Sequence, residues 1–260
     1  MRRIRISSSE RVTDMRRELE ICIDEEASAE AAVAGGADRL EVCASLSVGG
    51  LTPSLELVTR LRARYELPLH AMVRPRAGGF VYDAAERERM LDDVARLADA
   101  GCEGVVFGAL TADGAIDSEF VRELVGAAGE LHCTFHRAID CLEAPSAHLV
   151  ELAELGIGRV LSSGGRTTAL EGAPELARMS ALAPAGLQLM AGAGVHSGIL
   201  RELLDLTGLT HVHGSAAPPR PASSGRVSFE AESEEREAER RTSETEVRAM
   251  RAILDGLASN

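Results

Sequence analysis

Gly36-Ala37-Asp38-Arg39-Leu40-Glu41-Val42-Cys43 is the stretch whose reading decides the fold. Leu40, Val42 and Ala44 alternate with Glu41, Cys43 and Ser45, which is the period of a strand. One face is apolar, and the other carries a carboxylate and a thiol. In an α/β protein the apolar face turns toward the covering helices. Burying Glu41 against those helices without a partner is costly, so its face must line something else. That face is expected to line the inside of a barrel.

Short apolar strands alternate with helix-patterned stretches along most of the chain. Strands are expected near 19–24, 38–43, 68–74, 103–108, 131–136, 158–163, 186–191 and 210–214. Helices are expected near 26–35, 54–65, 84–100, 117–128, 144–155, 172–182 and 197–207. Gly35, Gly101, Gly129, Gly156 and Gly208 stand where helices stop, and Thr52-Pro53-Ser54 and Asp117-Ser118 where they start. Eight such units predict a single-domain α/β fold, a TIM-type (β/α)8 barrel. No GxGxxG turn follows the first strand, which argues against the open doubly wound sheet.

The domain reading is a mobile N-terminal extension at 1–18, a barrel core at 19–216, a mobile acidic linker at 217–243 and a closing helix at 244–260. The linker combines the run Pro218-Pro219-Arg220-Pro221 with the charge-dense Glu230–Arg241. Helical spacing returns through Val247, Met250, Ile253, Leu254 and Leu257.

Composition narrows the function. The 260 residues are 45% apolar and carry a net charge of −13, which argues against nucleic-acid or anionic-membrane partners. All basic residues are arginine; with no lysine, Schiff-base chemistry and a Walker-type phosphate loop are excluded. No apolar run reaches membrane-spanning length. Five cysteines without CxxC spacing read as a reduced, cytoplasmic protein.

Alternation assigns the barrel interior. Glu20, Cys22 and Asp24 share a face of the first strand, opposite Leu19, Ile21 and Ile23. His70, Met72 and Arg74 share one on the third, and His132, Thr134 and His136 on the fifth. Gln188 and Met190 oppose leucines on the seventh, and His211 and His213 oppose Val212 on the eighth. Opposite charges in such an interior shift one another's pKa values. Barrels work at the C-terminal strand ends, where Asp24, Cys43, Arg74, Arg76, His136, Arg137 and Ser163 fall.

Three candidate sites follow. Cys22 and Cys43, on adjacent strands and expected at similar depth, suit Cu(I), which favours few, soft ligands. Glu41, His136 and Arg74 are candidates for acid–base work, with Arg76 and Arg137 to hold an anionic ligand and Asp24 beside them as a further ligand-binding candidate. Gly192, Gly194, Ser163 and Ser215 sit in loops that hold phosphate in many barrels. His211 and His213 are read as structural, and Cys102, Cys133 and Cys141 as core or incidental.

The stretches GADRLEVC (36–43), GGLTPS (49–54), MVRPRAGGFVY (72–82), GVVFGALTADGAID (104–117), TFHRAID (134–140), RVLSSGG (159–165), LMAGAGV (189–195) and HGSA (213–216) together resemble the CutC family associated with copper homeostasis. The resemblance implies a TIM-type barrel, a cytoplasmic location, copper binding at the Cys22 and Cys43 pair, and a homodimer or higher homo-oligomer. The alternative from the residues alone is a metal-independent barrel enzyme acting on a small anionic or phosphorylated metabolite.

Overall fold

The computed structural model describes residues 17–217 and 241–258. Most of the N-terminal extension and of the acidic linker therefore lies outside the described residues. Strands β1 (Glu18–Ile23), β2 (Arg39–Val42), β3 (Leu69–Met72), β4 (Gly104–Phe107), β5 (His132–Phe135), β6 (Arg159–Ser162), β7 (Gln188–Ala191) and β8 (His211–Gly214) form a closed barrel in sequence order. Every neighbouring pair is parallel, including β8 with β1. The helices are α1 (Glu26–Gly35), α2 (Leu55–Arg64), α3 (Ala84–Asp99), α4 (Ser118–Ala128), α5 (Leu149–Glu154), α6 (Ala173–Leu182), α7 (Ser197–Thr207) and α8 (Glu244–Ala258).

Local chemistry sets the helix starts. The Ser54 and Asp117 side chains accept from backbone N–H groups of Leu57 and Phe120, capping α2 and α4. Asp83 and Glu86 form a reciprocal capping box on α3. The fifth helix is shorter than expected. Pro145 opens a 3₁₀ turn over Pro145–His148, and regular α-helix begins only at Leu149.

The apolar strand faces point outward. Leu19, Ile21, Ile23, Leu40, Val42, Leu69, Ala71, Val105, Phe107, Phe135, Val160 and Val212 join one core with the inner faces of the helices. A separate small apolar group inside the barrel holds Cys43, Met72 and Val106, with Leu46 against it. The rest of the interior is strongly polar: Glu20, Arg39, Glu41, His70, Thr134, Arg159, His211 and His213 are all buried.

Helix α8 closes the outer ring against α1 and α7. Val247, Met250 and Leu254 on it are buried. Its backbone comes close to α1: a Cβ on Gly35 would lie 2.5 Å from the Val247 side chain. Arg251 bonds Asp38 at 2.6 Å, and Asp38 in turn accepts from the Leu19 N–H at 2.8 Å.

Candidate functional site

Register decides which inward groups meet. β1 lies between β2 and β8, with Cys22 opposite Glu41, and Glu20 opposite both Arg39 and His213. The Cys22 thiol, a Glu41 carboxylate oxygen and a His213 ring nitrogen consequently lie within 4.8 Å of one another, all three residues buried. His213 Nδ1 donates to Glu20 Oε1 at 2.8 Å, and its Nε2 is 3.8 Å from Glu41 Oε2. Arg39 pairs with Glu20 and, at 2.8 Å, with Glu18. The Cys43 thiol donates to Glu41 Oε2 at 3.4 Å.

This register differs from the expectation that the two thiols share one depth. Cys22 faces Glu41, and Cys43 sits two residues further along β2, above that carboxylate. His213, read from sequence as structural, is the third member of the group. Sequence alternation placed it inside the barrel but could not show that β8 pairs with β1 at Glu20.

Burial and neighbouring charge pull these groups in different directions. Burial alone would raise Glu20, but the Arg39 charge and the His213 bond hold it well below the usual carboxylate range. Burial raises Glu41, reinforced by Glu20 and opposed by His213. Burial would lower His213, yet Cys22, Glu41 and the bond from Glu20 push it well above the usual imidazole value. The Cys43 thiol is driven well above its ordinary value by burial, then by Glu41 and Cys22. His213 is thus held in its charged form and binds a metal ion only after giving up a proton, while Glu41 lies between Cys22 and the Cys43 thiol and can accept the proton of either group.

The remaining predicted residues ring the C-terminal end. His136 is buried; its Nδ1 accepts from the Ala138 N–H at 3.2 Å and its ring packs 4.8 Å from Phe80. Burial, then the Arg74 charge, lowers it to about 3, so it is a neutral imidazole with its proton on Nε2. Gly108 makes room for that ring, since a Cβ there would lie 2.5 Å from Nδ1. Asp24 accepts from the Leu46 N–H at 3.3 Å.

Arg74, a candidate for acid–base work, and Arg76, expected with Arg137 to hold an anion, both bond to carbonyls of the chain. Arg74 is buried and donates to the carbonyls of Val48 (2.8 Å), Gly50 (3.1 Å) and Gly78 (2.8 Å). Arg76 pairs with Glu86 at 2.5 Å and donates to the carbonyls of Gly79 and Val81. The loops after β2 and β3 leave carbonyls that no ladder satisfies, and these guanidinium groups meet them.

After β6 and at the start of α7, carboxylates of the chain itself take backbone donors. The buried Asp140 accepts from Ser162 Oγ (2.6 Å), Ser163 N (3.0 Å), Ser163 Oγ (2.8 Å) and Gly165 N (3.0 Å). Arg137 bonds both Asp140 (2.9 Å) and Ser163 Oγ (3.0 Å). At the start of α7, Ser197 N and Oγ donate to Glu246 of α8 at 2.6 and 2.9 Å. Gly192 packs tightly on Leu161, Gly194 takes a left-handed turn (φ 67°), and Ser215 Oγ accepts from the Ala217 N–H at 3.3 Å. Neither Asp140 nor Glu246 was singled out from sequence, because each acts on loops distant in the chain.

Fold and cluster together define a parallel (β/α)8 barrel whose interior carries a buried Cys–Glu–His group near its C-terminal end. The CutC family profile matches residues 17–218. A CutC family protein of Sinorhizobium medicae is 43% identical over 93% of this chain and 97% of its own length. One from Xanthomonas axonopodis pv. citri is 46% identical over 76% of this chain and 82% of its own. A solved structure from Streptococcus agalactiae, named as a copper homeostasis protein CutC, superposes with a TM-score of 0.73 at 26% identity, covering 76% of this chain and 98% of that one. The chain belongs to the CutC family.

Proposed function

We propose that this protein takes up Cu(I) as cargo near the C-terminal end of its barrel, with Cys22 and Cys43 as thiol donors, in the service of copper homeostasis. The observation that carries this reading is the convergence of Cys22, Glu41 and His213 within 4.8 Å in a buried setting. Thiol and imidazole donors suit a soft monovalent ion. Glu41 is a harder donor, and its better use is as acceptor of the Cys43 proton, which it already faces at 3.4 Å. The five free cysteines support a reducing, cytoplasmic setting, and no helix among the described residues is long and apolar enough to cross a membrane. A homodimer or higher homo-oligomer is part of the same reading, carried over from the family resemblance. In a Cu(I) competition titration of the reduced protein, the parent binds stoichiometrically and Cys22→Ser/Cys43→Ser does not; equal affinity in both contradicts the proposal.

One observation favours a second reading, an enzyme acting on a small anionic metabolite with His136, Glu41 and Arg74 as its working residues. His136 Nε2 is buried at the C-terminal end of β5 and has no hydrogen-bond partner among the described residues. On this reading a metabolite screen by thermal shift finds a ligand whose stabilisation His136→Ala abolishes. If His136→Ala leaves every such ligand's effect unchanged, the reading is wrong.

A further inference from the structure

Below the Cys–Glu–His group, toward the N-terminal end of the barrel, the strand register brings a second polar set together. His70, Gly104 and His132 lie opposite one another on β3, β4 and β5, and Thr134 lies opposite Arg159 on β5 and β6. The His70 and His132 rings stack with centroids 5.3 Å apart. Between them β4 contributes only the hydrogen of Gly104. Burial, opposed by Glu20, lowers His70 to about 3; burial and the Arg159 charge lower His132 to about 4. Both rings are therefore neutral and can offer N–H groups.

Arg159 is the group without adequate compensation. It is 3% exposed, and among the described residues its side chain's hydrogen-bond partner is the neutral Gln188 side chain, 2.5 Å from Nη2. The nearest carboxylate oxygen in contact, Glu18 Oε2, is 3.8 Å away and already bonded to Arg39 at 2.8 Å. Among the described residues, Arg159 Nε and Nη1, His70 Nδ1, His132 Nδ1 and Thr134 Oγ1 are all buried without a hydrogen-bond partner. A buried guanidinium in that state calls for a counter-charge, and five orphaned polar atoms on adjoining strands call for a shared partner.

We infer that this end of the barrel binds one small monovalent inorganic anion of chloride size, held by the Arg159 charge with N–H and O–H donors from His70, His132 and Thr134. Glu18 is shared with Arg39 and stands 3.8 Å from Arg159, and this weak pairing favours a single further negative charge. The anion fixes the polar interior on which Glu20 and Arg39, and through them His213, are positioned. It does not require that the Cys22 group bind copper.

The test is anomalous diffraction from crystals in which bromide replaces chloride. The expected result is a bromine peak beside Arg159 in the parent, lost in Arg159→Met and weakened in Thr134→Val. In solution, chloride should raise the parent's Tm relative to methanesulfonate at equal ionic strength. Ordered water with no anomalous signal in the parent overturns the inference, whether or not the Arg159 variant folds. So does a bromide peak that persists in Arg159→Met, or an adventitious ion only, seen as a crystal peak with no stabilisation by chloride in solution.

Discussion

His70 and His136 sit in the barrel as neutral imidazoles lowered to about 3 by burial. In the unfolded chain each would titrate near 6.5. Between those values the unfolded state binds protons that the native state does not, so stability falls as pH drops below 6.5. With His132, held at about 4, three such groups give a slope of roughly 4 kcal/mol per pH unit near pH 5, at about 1.4 kcal/mol per unit for each. Urea unfolding from pH 5 to 6 should show it, and His136→Gln should reduce the slope by about 1.4 kcal/mol per unit. An unchanged slope would mean that His136 is not buried neutral. His213 acts in the opposite sense. Its folded pKa is raised, so the stabilisation it gives is complete below about 6.5 and declines as pH rises toward the folded value.

Asp140 shows what a single short element can organise. It lies in the 3₁₀ turn Arg137–Cys141, yet it satisfies donors from the end of β6 and the loop beyond. Asp140→Ala would remove the carboxylate shared by Ser162 Oγ, the Ser163 and Gly165 N–H groups and Arg137, and should cost about 3–5 kcal/mol in urea unfolding. Gly172 guards the same loop: a Cβ there would fall 1.8 Å from the Ser163 carbonyl oxygen. Gly172→Ala should therefore destabilise by about 1–3 kcal/mol, and a neutral result would show that the Ser162–Gly172 loop is free to shift. The strands themselves were legible in the sequence because their interior is polar. Glu41 beside Val42, and His132 beside Cys133, cannot both face the helices, so alternation alone told inside from outside. Partnership across the barrel was not legible. His213 joins Cys22 only through the β8–β1 register, and Asp140 and Glu246 reach loops 23 and 49 residues away. Without that register, the glycine-rich ends of β6 and β7 looked open to phosphate, whereas Asp140 and Glu246 take the backbone donors of Ser163, Gly165 and Ser197.

At the scale of the whole molecule, closure of the ring depends on a helix that follows a long interruption in the barrel pattern. Val247, Met250 and Leu254 of α8 are completely buried. At about 1.5–3 kcal/mol for each such side chain, a chain ending at Ser243 forfeits roughly 5–9 kcal/mol, comparable to the whole stability of an ordinary domain. Such a truncation should lose its cooperative unfolding transition in calorimetry; a retained sharp transition would show that β1–β8 and α1–α7 suffice. The barrel as a whole separates two interior regions, a Cys–Glu–His group near the C-terminal strand ends and an arginine–histidine set below it. The account rests on the upper one receiving copper. X-ray absorption of the reduced, Cu(I)-loaded protein tests this most directly. Sulfur scatterers in the copper shell, lost in Cys22→Ser/Cys43→Ser, are the predicted result. A shell without sulfur, or one unchanged in that double variant, would contradict it.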